Sequence, residues 1–126
     1  MAFVVKLPWP HKALNPHAKG HWRPKAEATA QARGWAKVAT LAEKVPHWPE
    51  ATLFIEYYPH AYRGDVHNVA GMLKAYIDGI ADGMGCDDRR LRVHYPPVWA
   101  GKKPGGEIVF RIVPPVFSPE KGGEHG

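Results

Sequence analysis

Apolar and polar positions along the chain alternate between two periods and mark out six elements. "AFVVKLP" (2–8) is a short apolar run that stops at Pro8 and predicts a strand. Residues 9–24, "WPHKALNPHAKGHWRP", hold three prolines, a glycine and three histidines, which predicts a loop. It is long for a compact domain, and long loops often carry function. From Lys25 to about Lys44, Ala28, Trp35, Val38, Ala39, Ala42 and Val45 recur at helical spacing. They predict a helix buried along that stripe, with Arg33, Lys37 and Lys44 on the opposite face and Pro24 in the first turn. "VPHWP" (45–49) breaks it, and "ATLFIEYYP" (51–59), rich in aromatic and β-branched residues, predicts a second strand.

After the turn "HAYRG" (60–64), a second helix is expected from Val66 to about Met84. Val69, Leu73, Tyr76, Ile77, Ile80 and Met84 form its apolar face, and His67, Lys74 and Asp78 its polar face. Gly85 is the candidate stop. "LRVHYPPV" (91–98) and "EIVFRIV" (107–113) predict two more strands around the turn "AGKKPGG" (100–106). The order β-α-β-α-β-β describes an α/β fold: one small domain with a mixed sheet of about four strands and two main helices. The domain is expected over residues 1–117, with the proline- and glycine-rich end, 118–126, as a flexible tail.

Composition agrees with one globular domain. The chain has 126 residues, 44% of them hydrophobic and 23% charged, enough to bury a core unaided. The single cysteine, Cys86, excludes an internal disulfide and a multi-cysteine zinc site. The first apolar run is too short for a signal peptide and no stretch is long enough to span a membrane. A cytoplasmic protein is the expectation.

Charge changes the picture more. The net charge is +5, and all of it lies in residues 1–50, with eight Lys/Arg against three Glu; the remainder has nine of each sign. The acids of the second half cluster, with Asp65, Asp78, Asp82, Asp87 and Asp88 close together in the chain. A basic surface beside an acidic cluster is what a metal-dependent enzyme acting on a polyanion needs, although solvated faces account for the totals more simply.

Candidate chemistry centres on "GDVHN" (64–68). In an extended segment Asp65 and His67 project to the same side and could grip one ion. Asp87 and Asp88 could join them if the chain turns back over the second helix. Carboxylates with one imidazole suit Mg2+ or Mn2+, the histidine favouring the latter or a later metal. Lys74 could neutralise a phosphate oxygen or steer a carboxylate. Each residue also has a plainer role. Asp65 is a good helix N-cap, His67 an ordinary first-turn residue, Asp87-Asp88 a turn pair, and Lys74/Asp78 an i,i+4 ion pair.

The combined series is more specific than its parts. "LPWP", "LNPHAKGHW", a basic helix and "RGDVHNVAGMLKAYIDGIADGMGCDDRRL" together resemble the RusA family of Holliday-junction resolvases, most of all its phage and prophage members. The resemblance runs from about Val5 to Leu91. It implies an endonuclease that cuts four-way DNA junctions as a homodimer with Mg2+ or Mn2+, in recombination, repair or debranching of phage DNA. The family's metal-binding acids match Asp65 and Asp88, and its catalytic lysine matches Lys74. Its middle acid falls on His67, a departure that removes one negative charge. The resemblance turns the basic half into the DNA-facing surface, with Lys12, Lys19, Arg23, Lys25, Arg33 and Lys37 as phosphate contacts. Arg89, Arg90 and Arg92 are further candidates, and Trp9, His21 and Trp22 could stack on bases, against core packing for the two tryptophans.

Three functions follow for test. The first is a metal-dependent, structure-selective endonuclease, with Asp65, Lys74 and Asp88 catalytic and Asp65, His67, Asp88 and Asp87 as metal ligands. The second is a non-catalytic binder of branched DNA in which His67 marks a degraded metal site. The third is a small basic scaffold with generic DNA affinity, against which the placed Asp-Asp-Arg element argues.

Overall fold

A computed structural model of the chain describes residues 2–10, 14, 22–60, 72–94 and 97–114. In chain order the elements are β1 (Phe3–Pro8), α1 (Trp22–Ala42), β2 (Ala51–Tyr58), α2 (Lys74–Met84), a 3-10 turn (Asp88–Arg90), β3 (Leu91–Val93), β4 (Val98–Trp99) and β5 (Glu107–Val113). The expected small α/β domain with a mixed sheet and two helices is present. The tail 118–126, the expected helix start at Val66 and the face residue Val69 lie outside the described residues.

The sheet runs β1-β5-β2-β3, with β4 continuing beside β2. β5 is antiparallel to both β1 and β2, through pairs such as Val5↔Phe110 and Ile55↔Phe110. β3 and β4 are both parallel to β2, through Leu53↔Val93 and Glu56↔Val98. The sheet therefore has five strands, because the expected strand 91–98 is two. His94 still donates its backbone N–H to Leu53. Pro97 has no N–H to give, and pairing with β2 resumes at Val98.

Alternation along the strands sorts the two faces. Val5, Leu7, Leu53, Ile55, Ile108, Phe110 and Ile112 join the helices in one buried cluster. The opposite face carries Lys6, Arg92, the stacked pair Phe54–His94 and an Arg111–Glu56 ion pair. α2 supplies the bulk of the helical side of the core: Leu73, Tyr76, Ile77, Ile80 and Met84 are all buried, as their spacing predicts. Tyr76 meets Phe110 edge to face at 6.2 Å and donates its hydroxyl to the Pro8 carbonyl at 2.7 Å. Burial pushes that phenol up to about 12. Trp9 is half-buried against Tyr57, ring centroids 6.3 Å apart, so it packs on the core.

α1 corrects the expected face. Ala28, Ala32, Ala36 and Thr40 are the buried positions, whereas Trp35, Val38 and Leu41 are 46%, 66% and 49% exposed and Ala42 is exposed too. The reason is on α2. A Cβ at Gly79 would lie on the Arg33 carbonyl oxygen and within 2.6 Å of Ala36, and one at Gly83 would stand 2.8 Å from Thr40. The helices approach so closely that only small residues fit between them. α1 also starts at Trp22, ahead of the expected Lys25, and ends before Lys44, which turns left-handed at φ 56°. There Lys44 N–H donates to Leu41 and Val45 N–H to Thr40, closing the helix end. α2 ends at Gly85, φ 73°, as expected.

Two glycine substitutions separate close packing from mere helix propensity. Gly79→Ala is expected to destabilise the fold by about 1–3 kcal/mol through overpacking. Gly34→Ala, with nothing near its added methyl, is expected to stabilise it by about 0.5–1 kcal/mol. Urea unfolding of both variants measures this. Equal stability of wild type and Gly79→Ala would refute the tight helix contact.

Candidate functional site

α2 carries Lys74, Asp78 and Asp82 at successive turns of one face. After Met84 the left-handed Gly85 reverses the chain. The following 3-10 turn brings Asp88 back to the helix, where it meets Lys74. The Lys74 Nζ donates to Asp78 Oδ1 and to Asp88 Oδ2, both at 2.7 Å. The chain thus turns back along the helix as far as Lys74; the approach of Asp88 to Asp65 that the sequence argument required involves a residue outside the described ones. The two carboxylates hold the Lys74 ammonium above its ordinary value, the Asp78 hydrogen bond contributing most. Lys74 is 65% exposed, so the cluster is open to a solvent-borne ligand.

A second pair lies beside it. Arg33 of α1 grips Asp82 through two parallel hydrogen bonds, Nε to Oδ2 at 2.6 Å and Nη2 to Oδ1 at 2.9 Å. The Arg33 hydrogen bond draws the Asp82 carboxyl below its ordinary value, with Lys37 adding to the field. Arg33 was expected to contact phosphate; here its fork is engaged by a carboxylate. Sequence spacing gave no sign of this pair. The usable signal was Gly79 and Gly83 facing a stripe of small residues, which brings Arg33 next to α2.

Asp87 and Asp88, adjacent in sequence, have different surroundings. Asp87 caps the 3-10 turn, accepting from the Arg89 backbone N–H at 2.9 Å and from the Arg89 side chain at 3.2 and 3.0 Å. Those bonds hold its carboxyl well below the usual range. Asp87 thus performs the turn role, and Arg89 is its partner. Arg90 makes no ion pair among the described residues and is exposed. Lys25 and Lys37 are exposed on α1, in the same i,i+4 series as Arg33, and Lys25 borders a groove beside Lys74. Asp65, His67, Lys12, Lys19 and His21 lie outside the described residues, as do the side chains of Trp22 and Arg23.

The chemistry of the described donors can be tested against a divalent metal. Asp78 and Asp88 converge on one cation, and their hard oxygens suit Mg2+ or Mn2+. Among the described residues no three His, Cys, Asp or Glu come together as a metal-holding group. Among the described residues Asp78 and Asp88 are two carboxylates around the Lys74 ammonium, which occupies the cationic position between them. Also among the described residues, no helix is long and apolar enough to cross a membrane.

Comparison with known proteins places the chain in a family without adding an activity. No family model matches it. An uncharacterised protein of Xylella fastidiosa strain Temecula1 is 36% identical over 114 residues, covering 86% of this chain and 74% of that protein. The chain belongs to the same family as that protein.

The Asp82–Arg33 pair gives a pH signature. A carboxyl with a depressed native value contributes stability that is present above its ordinary value, 3.8, and is lost as pH falls through the native one. Asp82→Asn is therefore expected to unfold at lower urea than wild type near neutrality and at the same urea in strong acid. The gap should be modest because both groups are partly exposed. A gap that persists undiminished in strong acid would show that Asp82 acts by packing.

Proposed function

We propose that the protein is a metal-dependent, structure-selective DNA endonuclease that resolves four-way junctions or other branched DNA by phosphodiester hydrolysis, acting inside a bacterial or phage-infected cell. The observation that carries this reading is the convergence of Lys74, Asp78 and Asp88 from two separate elements on one exposed spot. Lys74 and Asp88 are two of the three residues that the resemblance to RusA resolvases marks as catalytic. Lys25, exposed beside that spot, and Lys37, exposed further along α1, support a polyanionic substrate.

The roles follow from the environment of each group. Asp88 and Asp78, with Asp65 and His67 from the motif loop, would hold Mg2+ or Mn2+. The metal would supply charge neutralisation at the phosphate and a water acidified for attack. Lys74, held protonated by two carboxylates, acts as a fixed positive charge and not as a base. It orients Asp88 and can pass to a phosphate oxygen when the strand binds. Arg33 keeps Asp82 ionised. Lys25, Lys37 and Arg90 position the backbone, and Arg89 anchors the turn that carries Asp88. A homodimer would give the two active sites that symmetric cutting of a junction needs.

The second reading, a non-catalytic binder of branched DNA, is favoured by His67 at the position of a motif carboxylate. One experiment separates the two. A labelled four-way junction and a linear duplex are incubated with the protein in Mg2+ and, separately, in Mn2+. Paired nicks in the junction alone are expected. Asp88→Asn is expected to lose at least about 100-fold in rate, the scale of losing one electrostatic group at a reacting phosphate, while junction affinity stays within a few-fold. Tight junction binding without nicks in either ion would sink the nuclease reading and leave the binder.

A further inference from the structure

α1 carries two different apolar stripes. The inner one, Ala28, Ala32, Ala36 and Thr40, is small and buried against α2. The outer one lies on the opposite side of the helix. Gln31, Gly34, Trp35, Val38, Leu41 and Ala42 follow one another there at i, i+3, i+4, i+7, i+10 and i+11, and all are exposed. Trp35, Val38 and Leu41 are three of the six large hydrophobic side chains exposed among the described residues. A surface helix ordinarily turns charged and polar residues outward on this side. A contiguous apolar stripe in their place marks an interaction surface.

The charges around the stripe narrow what can cover it. None falls within it, and Arg33 and Lys37 lie on the flank toward Asp82. Glu27 stands at its N-terminal end and Lys44 just past its C-terminal end. Both are exposed, and neither makes an ion pair among the described residues. A second α1 laid antiparallel on the first brings each Glu27 to the other copy's Lys44. That register puts the two-fold axis beside Trp35, so the bulkiest side chain of the stripe meets its own copy at the centre of the contact. Aromatic anchors of protein interfaces concentrate at that place. The same register sets each Leu41 against the other copy's Ala30, large against small. Charge and shape therefore select one arrangement. The chain's own segment 115–126 offers only Val116 and Phe117 among prolines, glycines and charges, too little to replace a helix here.

We propose that the outer face of α1 is a homodimer interface in which two α1 helices pack antiparallel about Trp35. The contact is isologous, each copy using the same patch. The inference goes beyond the nuclease reading and holds without DNA or metal. Because α1 packs directly on α2, such a contact would join the two Lys74 clusters through one helix pair.

Sedimentation velocity over a range of protein concentrations, without DNA or metal, tests it. Wild type is expected to dimerise. Trp35→Ala is expected to weaken the dimer at least about 30-fold, the scale of losing one interface anchor. Glu27→Lys and Lys44→Glu are each expected to weaken it several-fold. The double variant is expected to recover wild-type association, because the exchanged charges again face each other across the axis. Within one chain the two positions are about 26 Å apart along the helix, at about 1.5 Å per residue, so the recovery cannot arise inside a single copy. It also keeps the test decisive if Trp35→Ala fails to fold, which circular dichroism shows. A wild type that stays monomeric at every concentration overturns the proposal. So does a dimer indifferent to Trp35→Ala in a folded variant, or a double charge variant weaker than either single one. Each of these results leaves the nuclease reading to its own cleavage assay.

Discussion

The contact on which the rest of this structure depends is the backbone-to-backbone approach of α1 and α2 at Gly79 and Gly83. An added Cβ at either position would strike the Arg33 carbonyl or Thr40. Packed interiors do not stretch to accept such atoms. The facing stripe of α1 is therefore small throughout, at Ala28, Ala32, Ala36 and Thr40. Small side chains bury little apolar area, so this contact is not the main source of stability. The larger contribution comes from the other side of α2, where Tyr76, Ile77, Ile80 and Met84 sit over the sheet. What the glycine contact sets is position. It places the charged flank of α1 beside the charged flank of α2.

That placement produces a line of alternating charge in which no ion is deeply buried. Arg33 holds Asp82, and Lys74 is shared between Asp78 and Asp88. Exposed pairs of this kind contribute little to folding free energy, and the fold has its hydrophobic core without them. They do fix geometry. Asp82, two helical turns from Lys74, is held by Arg33, and Lys74 is held by Asp78 and Asp88. Asp87 is held by Arg89. Of the four acids in this region, two are committed to arginines and two converge on a single ammonium.

The sequence made some of this legible. The apolar and β-branched runs came through as strands β1, β2 and β5, and α2 buried the face its spacing marked because it packs on a sheet that selects large apolar side chains. Gly85 read correctly as a helix stop because a left-handed residue there has few alternatives to glycine. The face of α1 came through at Ala28, at the half-buried Ala39 and at Val45 just past the helix end, and failed at Trp35, Val38 and Ala42. Periodicity identifies which residues could form a stripe, but the partner decides which stripe is used. Trp35, Val38 and Leu41 make the more hydrophobic face and are excluded by the closeness of α2. The sequence raised a chain reversal to bring Asp87 and Asp88 toward Asp65 and His67; among the described residues the reversal at Gly85 and the Asp87-capped turn brings Asp88 to Lys74, a meeting the sequence did not foresee. The Arg33–Asp82 pair spans two elements, and the trace of their placement in the sequence is the match of Gly79 and Gly83 to the small stripe of α1.

The balance within the Lys74 cluster joins the catalytic and the binding readings. Asp78 and Asp88 together carry two negative charges, and Lys74 neutralises one of them. On the proposed reading, a divalent cation would gain both carboxylates only where the ammonium gave way, and a substrate phosphate would offer the ammonium somewhere to go. Substrate and metal would then favour each other at this spot, each satisfying what the other displaces. His67, neutral where the related motif has a carboxylate, would lower the pull on the metal and make that exchange depend more heavily on the substrate phosphate. In the free protein the cluster is an ion pair of one ammonium and two carboxylates.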